Sequence, residues 1–217
     1  MAQYTFQRNQ EELTFIKARS QETLSIPPVE SWVIHASEQS HITIDLEDLD
    51  LNHSLWIFLE KGSVCHIREG AWTGNLHITG VLMEPYAEIH YSSQTYLTEQ
   101  NALIIHINHQ ASYTTSFVHN RNVLANQARL AQDVTLEIPE HLHSCQAHQT
   151  ADVLLLSSNS KAHIVPRLAV ASDDVTCSHG VRIRTLKETD LFPLISKGIA
   201  PKQARRILID GFLGKAQ

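Results

Sequence analysis

The stretch "ALIIHINHQASYTTSFV", residues 102–118, decides the fold class. In its first half Leu103, Ile105 and Ile107 alternate with Ile104, His106 and Asn108, the period of a strand rather than a helix. A second short run, "SYTTSFV", follows at once, and no Asn-Gly or Asp-Gly pair joins them. Similar runs occupy the sequence on both sides, among them "SWVIHA", "HITIDLE", "SLWIFLE", "SVCHIRE", "NLHITGVL", "VTLEIP" and "DVLLLSS". Their starts recur roughly every ten to thirteen residues from about residue 30 to 182, the spacing of an all-β fold. No helix-length segment interrupts them, which excludes alternating βα units. The scarcity of hairpin signals, with only eight glycines in the chain, favours strands joined by open turns, as in a parallel β-helix.

The flanks read differently. Residues 1–29 are expected to form a polar helix and a linker: "NQEELTFIKARSQ" places Leu13 and Ile16 on one helical face, and Pro27 and Pro28 end it. The β-core is expected over 30–184 and a helical pair over 185–217. "LKETDLFPLISKG" has early acidic residues, apolar Leu191, Leu194 and Ile195, and Gly198 as a stop, with Pro193 fitting only in the first turn. In "IAPKQARRILIDGFLGKA", Pro201 suits the first helical position, and Ala204, Ile207, Leu208 and Phe212 form an apolar stripe. Lys202, Arg205 and Arg206 lie on the charged face, a solvated surface by default.

Composition narrows the function classes. The 217 residues carry a formal charge of −6, 42% hydrophobic and 18% charged residues, enough to bury a core and too acidic for phosphate-backbone binding. No apolar run has the length of a membrane span, and "MAQYTFQRNQEELTF" has no secretory h-region. Three cysteines without a CxxC pair argue for a reducing, cytoplasmic setting. No Walker-type loop is present, so any ATP hydrolysis must reside in another chain. Without Gly-x-Ser-x-Gly or paired carboxylates, serine hydrolase and glycosidase readings have no support.

Fourteen histidines supply the candidate chemistry. In "SDDVTCSHGVRIR", Cys177 and His179 stand two apart and share one face of a strand. Thiolate and imidazole are both iron ligands, yet two donors are too few for a closed cluster. Spacing alone leaves open a metal or sulfur site and an ordinary packed strand end. In "HLHSCQAHQ", His141, His143 and Cys145 would share a face of one strand as candidate metal ligands, although same-face neighbours roughly 7 Å apart cannot all reach one ion without a turn. His106 and His109 in "HINHQ" resemble a fragment of a cupin metal motif, without the glutamate and glycine that should follow.

The segment "PRLAVASDDVTCSHGVRIRTLKETDLFPLISKGIAPKQARRILIDGFL" resembles the C-terminal core of the SufB/SufD family of iron–sulfur cluster assembly proteins. The matching features are Pro166 and Leu168; Asp173, Asp174 and Val175; Cys177, Ser178, His179 and Gly180; then Lys197, Gly198, Ile199, Ala204, Arg205, Gly211 and Phe212. The Cys-Ser-His-Gly form is closer to SufD than to SufB. "VRIRT" after Gly180 replaces a small-residue, glycine-containing stretch, and Pro193 stands where an aromatic residue is usual. The resemblance implies a right-handed parallel β-helix with terminal helices. It further implies a non-catalytic scaffold subunit that pairs with a SufB-like chain, or with a second copy of itself, and with a SufC-type ATPase docked on the C-terminal helices near Lys202, Arg205 and Arg206. Cys177 and His179 would then contribute to a transient iron–sulfur cluster shared with the partner chain. Two other readings stay open: a cupin-like metal enzyme using His106, His109, His141 and His143, and a SufD-like binding module without cluster chemistry.

Overall fold

A computed structural model describes residues 2–8, 11–25, 31–46, 49–50, 52–70 and 72–214. The first strands are β1 (Ala2–Arg8), β2 (Glu11–Ala18), β3 (Gln21–Ser25), β4 (Ser31–Ala36), β5 (His41–Leu46) and the two-residue β6 (Leu49–Asp50). Next come β7 (His53–Leu59), β8 (Val64–Glu69), β9 (Trp72–Leu82), β10 (Glu88–Leu97), β11 (Gln100–His109) and β12 (Thr115–Leu124). The last strands are β13 (Arg129–Ile138), β14 (Cys145–Leu155), β15 (Lys161–Val170) and β16 (Val175–Thr185), followed by helices α1 (Glu188–Ile195) and α2 (Pro201–Leu213). Successive strands are dealt alternately to two sheets, one ordered β1-β2-β4-β7-β9-β11-β13-β15 and the other β16-β14-β12-β10-β8-β5-β3. Among the described residues all pairings but one are parallel, as the scarcity of hairpin signals predicts, and the chain winds as a right-handed parallel β-helix.

The exception corrects the N-terminal expectation. Residues 2–8 and 11–18 form an antiparallel strand pair, not a helix. "EELTFIKA" also carries a period of two, and burial of Thr14, Ile16 and Ala18 shows which period the tertiary context selected. The proline pair expected to end that helix lies outside the described residues.

The core is a set of columns, each taking one inward-facing residue per coil. One runs Ile16–Ile34–Ile57–Gly80–Ile107–Leu136–Leu168. Gly80 is required there by space: a Cβ at this position would sit 2.7 Å from Cδ1 of Ile89, which reaches across from the other sheet. Corners need left-handed backbone, and this chain meets the need largely without glycine. Gln39, Tyr86, Tyr113, Asn126 and His141 all have positive φ. Successive corners are tied by backbone bonds such as Tyr86 N–H to the Tyr113 carbonyl (3.1 Å), and those two rings stack at 5.4 Å.

The C-terminal helices lie on the outer face of the second sheet. Pro201 starts α2 and left-handed Gly214 ends it. Its buried side is Ala204 and Leu213, with Ile209 and Phe212 against Val123 and Leu154. Ile207, expected on that stripe, instead borders an outer cleft with Lys202, Gln203 and Arg206. In α1 the Asp190 carboxylate accepts the Lys187 N–H at 2.8 Å, and Pro193 lies beyond the first turn of an eight-residue helix.

Candidate functional site at the open end of the solenoid

Strand alternation sets where Cys177 and His179 point, and coil register sets what lies beneath them. Ile42, Cys65, Ile89, Ser116, Ala147 and Cys177 form one inward-facing column. Leu24, Ile44, Ile67, Tyr91, Val118, Gln149 and His179 form the next. Both residues thus take the last place of columns whose earlier members are buried. No described coil follows, so Cys177 is half-buried against the core and His179 is exposed. Burial pushes the Cys177 thiol above its ordinary range, opposed by a backbone hydrogen bond at Ala147, so the free thiol is protonated at neutral pH.

The surroundings of this pair are open strand edges and apolar side chains. β15 and β16 are the terminal strands of their sheets, each leaving one edge without a strand partner among the described residues. Their inward rows carry half-buried Ile164, Pro166 and Leu168 and exposed Val170, Val181 and Ile183. A row that is core in the earlier coils is here an accessible apolar surface beside a thiol and an imidazole.

The second candidate set separates. His141, His143 and Cys145 do not share a strand face: β14 begins only at Cys145, and residues 140–144 turn through left-handed His141 and Ser144. His141 and His143 are 91% and 63% exposed, whereas Cys145 is fully buried. His143 instead faces Asp174, Nδ1 to Oδ2 at 3.8 Å, because its turn packs on the "SDD" turn. No group of three metal-ligating side chains forms among the described residues.

His106 and His109 lie on opposite faces of β11, which dissolves the cupin-like set. His106 points outward to Glu137, Nε2 to Oε2 at 2.9 Å. His109 points inward, and burial lowers its pKa to about 4, leaving it neutral. Thr114 Oγ1 donates to the Ala111 carbonyl at 2.8 Å, so it accepts from Nδ1–H of His109 at 2.7 Å. Nε2 then accepts from the Ser116 hydroxyl at 2.8 Å, and Cys145 Sγ lies 3.4 Å from the same Thr114 oxygen. The network uses both ring nitrogens, and its role is to hold the turn before β12.

Of the three helix cations, two are paired within the chain: Arg205 Nη2 to Glu188 Oε1 at 2.6 Å, and Arg206 Nε to Asp210 Oδ2 at 3.4 Å. Lys202 is exposed.

With this geometry in view, the comparisons with known proteins are specific. Residues 9–212 match the family described as the SUF system FeS cluster assembly, SufBD core domain. The chain belongs to the SufBD family. It is 36% identical over 78 residues to an iron–sulfur cluster assembly SufBD family protein of Synechocystis, covering 36% of this chain and 17% of that one. It is 24% identical over 196 residues to Protein ABCI7, chloroplastic, of Arabidopsis thaliana, covering 86% and 41%. With the iron–sulfur cluster assembly protein SufD of Escherichia coli it shares 23% identity over 106 residues, covering 49% and 25%. The chain spans less than half the length of these SufBD relatives. No helix among the described residues is long and apolar enough to cross a membrane.

Sequence reasoning missed two features of this end. One is an outward column of stacked rings, His66–His90–Phe117–His148, with centroids 4.8, 5.3 and 5.1 Å apart, ending where His148 Nδ1 meets Ser178 Oγ at 2.7 Å. The other is a cluster of Arg121, Asp152, Arg182 and Arg184 beside α2. The only sequence signal for the second was the alternation of Arg182 and Arg184 in "VRIRT".

Proposed function

We propose that this SufBD-family chain is a SufD-like, non-catalytic scaffold subunit of iron–sulfur cluster assembly, working in the cytoplasm with a SufB-like chain and a SufC-type ATPase. The observation that carries the reading is the ending of two core columns in Cys177 and His179 on a strand with an open edge. Two soft donors side by side on the last coil can hold part of a nascent cluster, and the remaining donors must come from a chain that covers that edge. A partner strand on β16 would satisfy its backbone groups and bury Val181 and Ile183, giving a hydrophobic centre around the metal-binding pair. The cluster is cargo in this scheme, assembled across the interface and passed on. A second copy of the chain could occupy the same edge. The cleft of α2 bordered by Lys202, Ile207 and Arg206 is the surface assigned to the ATPase, with Arg205 bracing the two helices through Glu188.

Co-expression with SufB-type and SufC-type partners, affinity isolation and anaerobic cluster reconstitution test the proposal. The expected result is a complex in which His179→Ala lowers cluster content while subunit composition is retained. Failure to form any complex overturns it. An intact complex whose cluster yield is indifferent to both Cys177 and His179 would favour the binding module without cluster chemistry.

A further inference from the structure

Beside the last turn of α2, an open cleft of about 280 Å³ is lined by Arg121, Asp152, Arg182, Arg184 and Phe212. Three guanidiniums against one carboxylate is a local reversal in a chain of net charge −6. Register places Gln94, Arg121, Asp152 and Arg182 in one outward row across β10, β12, β14 and β16.

Each cation has a distinct state. Arg182 is held in two parallel bonds by Asp152, Nε to Oδ1 at 2.7 Å and Nη2 to Oδ2 at 2.9 Å, which fixes its plane and cancels its charge. Arg184 lies over the Phe212 ring, 5.3 Å from its centroid, and Arg121 extends to the end of α2, where its Nη1 would lie 3.2 Å from a Cβ on Gly214. Neither Arg121 nor Arg184 has a carboxylate within salt-bridge distance among the described residues. Two guanidiniums without a salt-bridge partner, of which Arg121 shares the field of Asp152 with Arg182, therefore border one concavity with an aromatic wall.

We propose that this cleft binds the phosphate group of a small phosphorylated molecule. Arginine forks fit a tetrahedral oxyanion with several acceptors, and the surplus of three guanidiniums over one carboxylate matches the roughly −1.5 to −2 charge of a phosphate monoester near pH 7. The concavity favours a small ligand over an acidic protein segment, and the site is independent of Cys177 and His179.

Calorimetric titration of the purified chain with inorganic phosphate, pyrophosphate and ADP tests the inference, with an acidic peptide as a parallel arm. Saturable binding of at least one phosphate compound is expected, weakened about tenfold by Arg184→Gln or Arg121→Gln. Arg206→Gln, on the other side of α2, should leave it unchanged. Asp152→Asn removes the carboxylate and should tighten binding, a gain that misfolding cannot produce. Tighter binding of ADP than of phosphate would assign the organic portion to the Phe212 wall. Absence of saturable phosphate binding, equal weakening by Arg206→Gln, or binding of the acidic peptide alone overturns the proposal.

Discussion

Gln149 lies in register beneath His179 and donates its amide N–H across the solenoid interior to the Arg167 carbonyl at 3.3 Å. The bond joins β14 to β15, the terminal strand of the other sheet, directly below His179. Gln149→Leu deletes it and should lower stability by about 1 kcal/mol, read as a reduced urea midpoint at unchanged slope. In the partner complex the same variant should reduce cluster yield less than His179→Ala does.

His179 is exposed and Cys177 only half-buried at the edge of the core, so both contribute modestly to packing. Cys177→Ser and His179→Ala should leave the unfolding midpoint of the isolated chain within about 1 kcal/mol of the parent. The same changes should reduce iron and sulfide recovered with the complex. A large stability loss together with unchanged iron would mark the pair as structural.

Glu69 provides a pH test of the interior. Burial raises its pKa from the ordinary 4.5 to about 8, and the hydrogen bond from Trp72 Nε1 opposes the rise only in part. The folded chain therefore keeps a proton that the unfolded chain releases. This stabilising contribution is complete below pH 4.5 and is lost progressively up to about pH 8. Glu69→Gln keeps the acceptor for Trp72 and removes the titration. It should match the parent near pH 4.5 and exceed it in urea midpoint at pH 8, and parallel pH profiles would count against the assignment.

Gly80 and Ile89 make a reciprocal pair. Gly80→Ala places a methyl 2.7 Å from the buried Ile89 Cδ1 and should destabilise by about 1–3 kcal/mol. Ile89→Val removes that Cδ1, so the double variant should be more stable than Gly80→Ala alone. Simple additivity in a double-mutant cycle would refute the contact.

What the sequence made legible follows from periodicity. The strand rhythm around Leu103, Ile105 and Ile107 and the missing hairpin signals indicate a parallel β-helix, and the i, i+2 spacing of Cys177 and His179 places them on one face. Which face is inward depends on pairing with Ala147 and Gln149 in the preceding coil, a relation that no local pattern contains. The same limit hid Arg121, Asp152 and Arg182, which share a row only through register. His141 and Ser144 defeated the strand expectation because non-glycine residues adopt the left-handed turn there. At the N-terminus, Leu13 and Ile16 satisfy a helical spacing inside a segment that also alternates, and pairing of β2 with β4 settled it as strand.

A solenoid behaves as a one-dimensional array in which each coil is stabilised by its nearest neighbours. Among the described residues β12 is flanked by β10 and β14, whereas β16 is flanked by β14 alone. The coil that carries Cys177 and His179 should therefore open at a lower free energy than the interior coils, with less amide protection than β12 or β14. Occupation of its free edge supplies the missing neighbour, so protection along β16 becomes a gauge of partner concentration and affinity. In the proposed complex, assembly and ordering of this strand would be one equilibrium, with Cys177 and His179 reaching full order only when a second chain covers the edge.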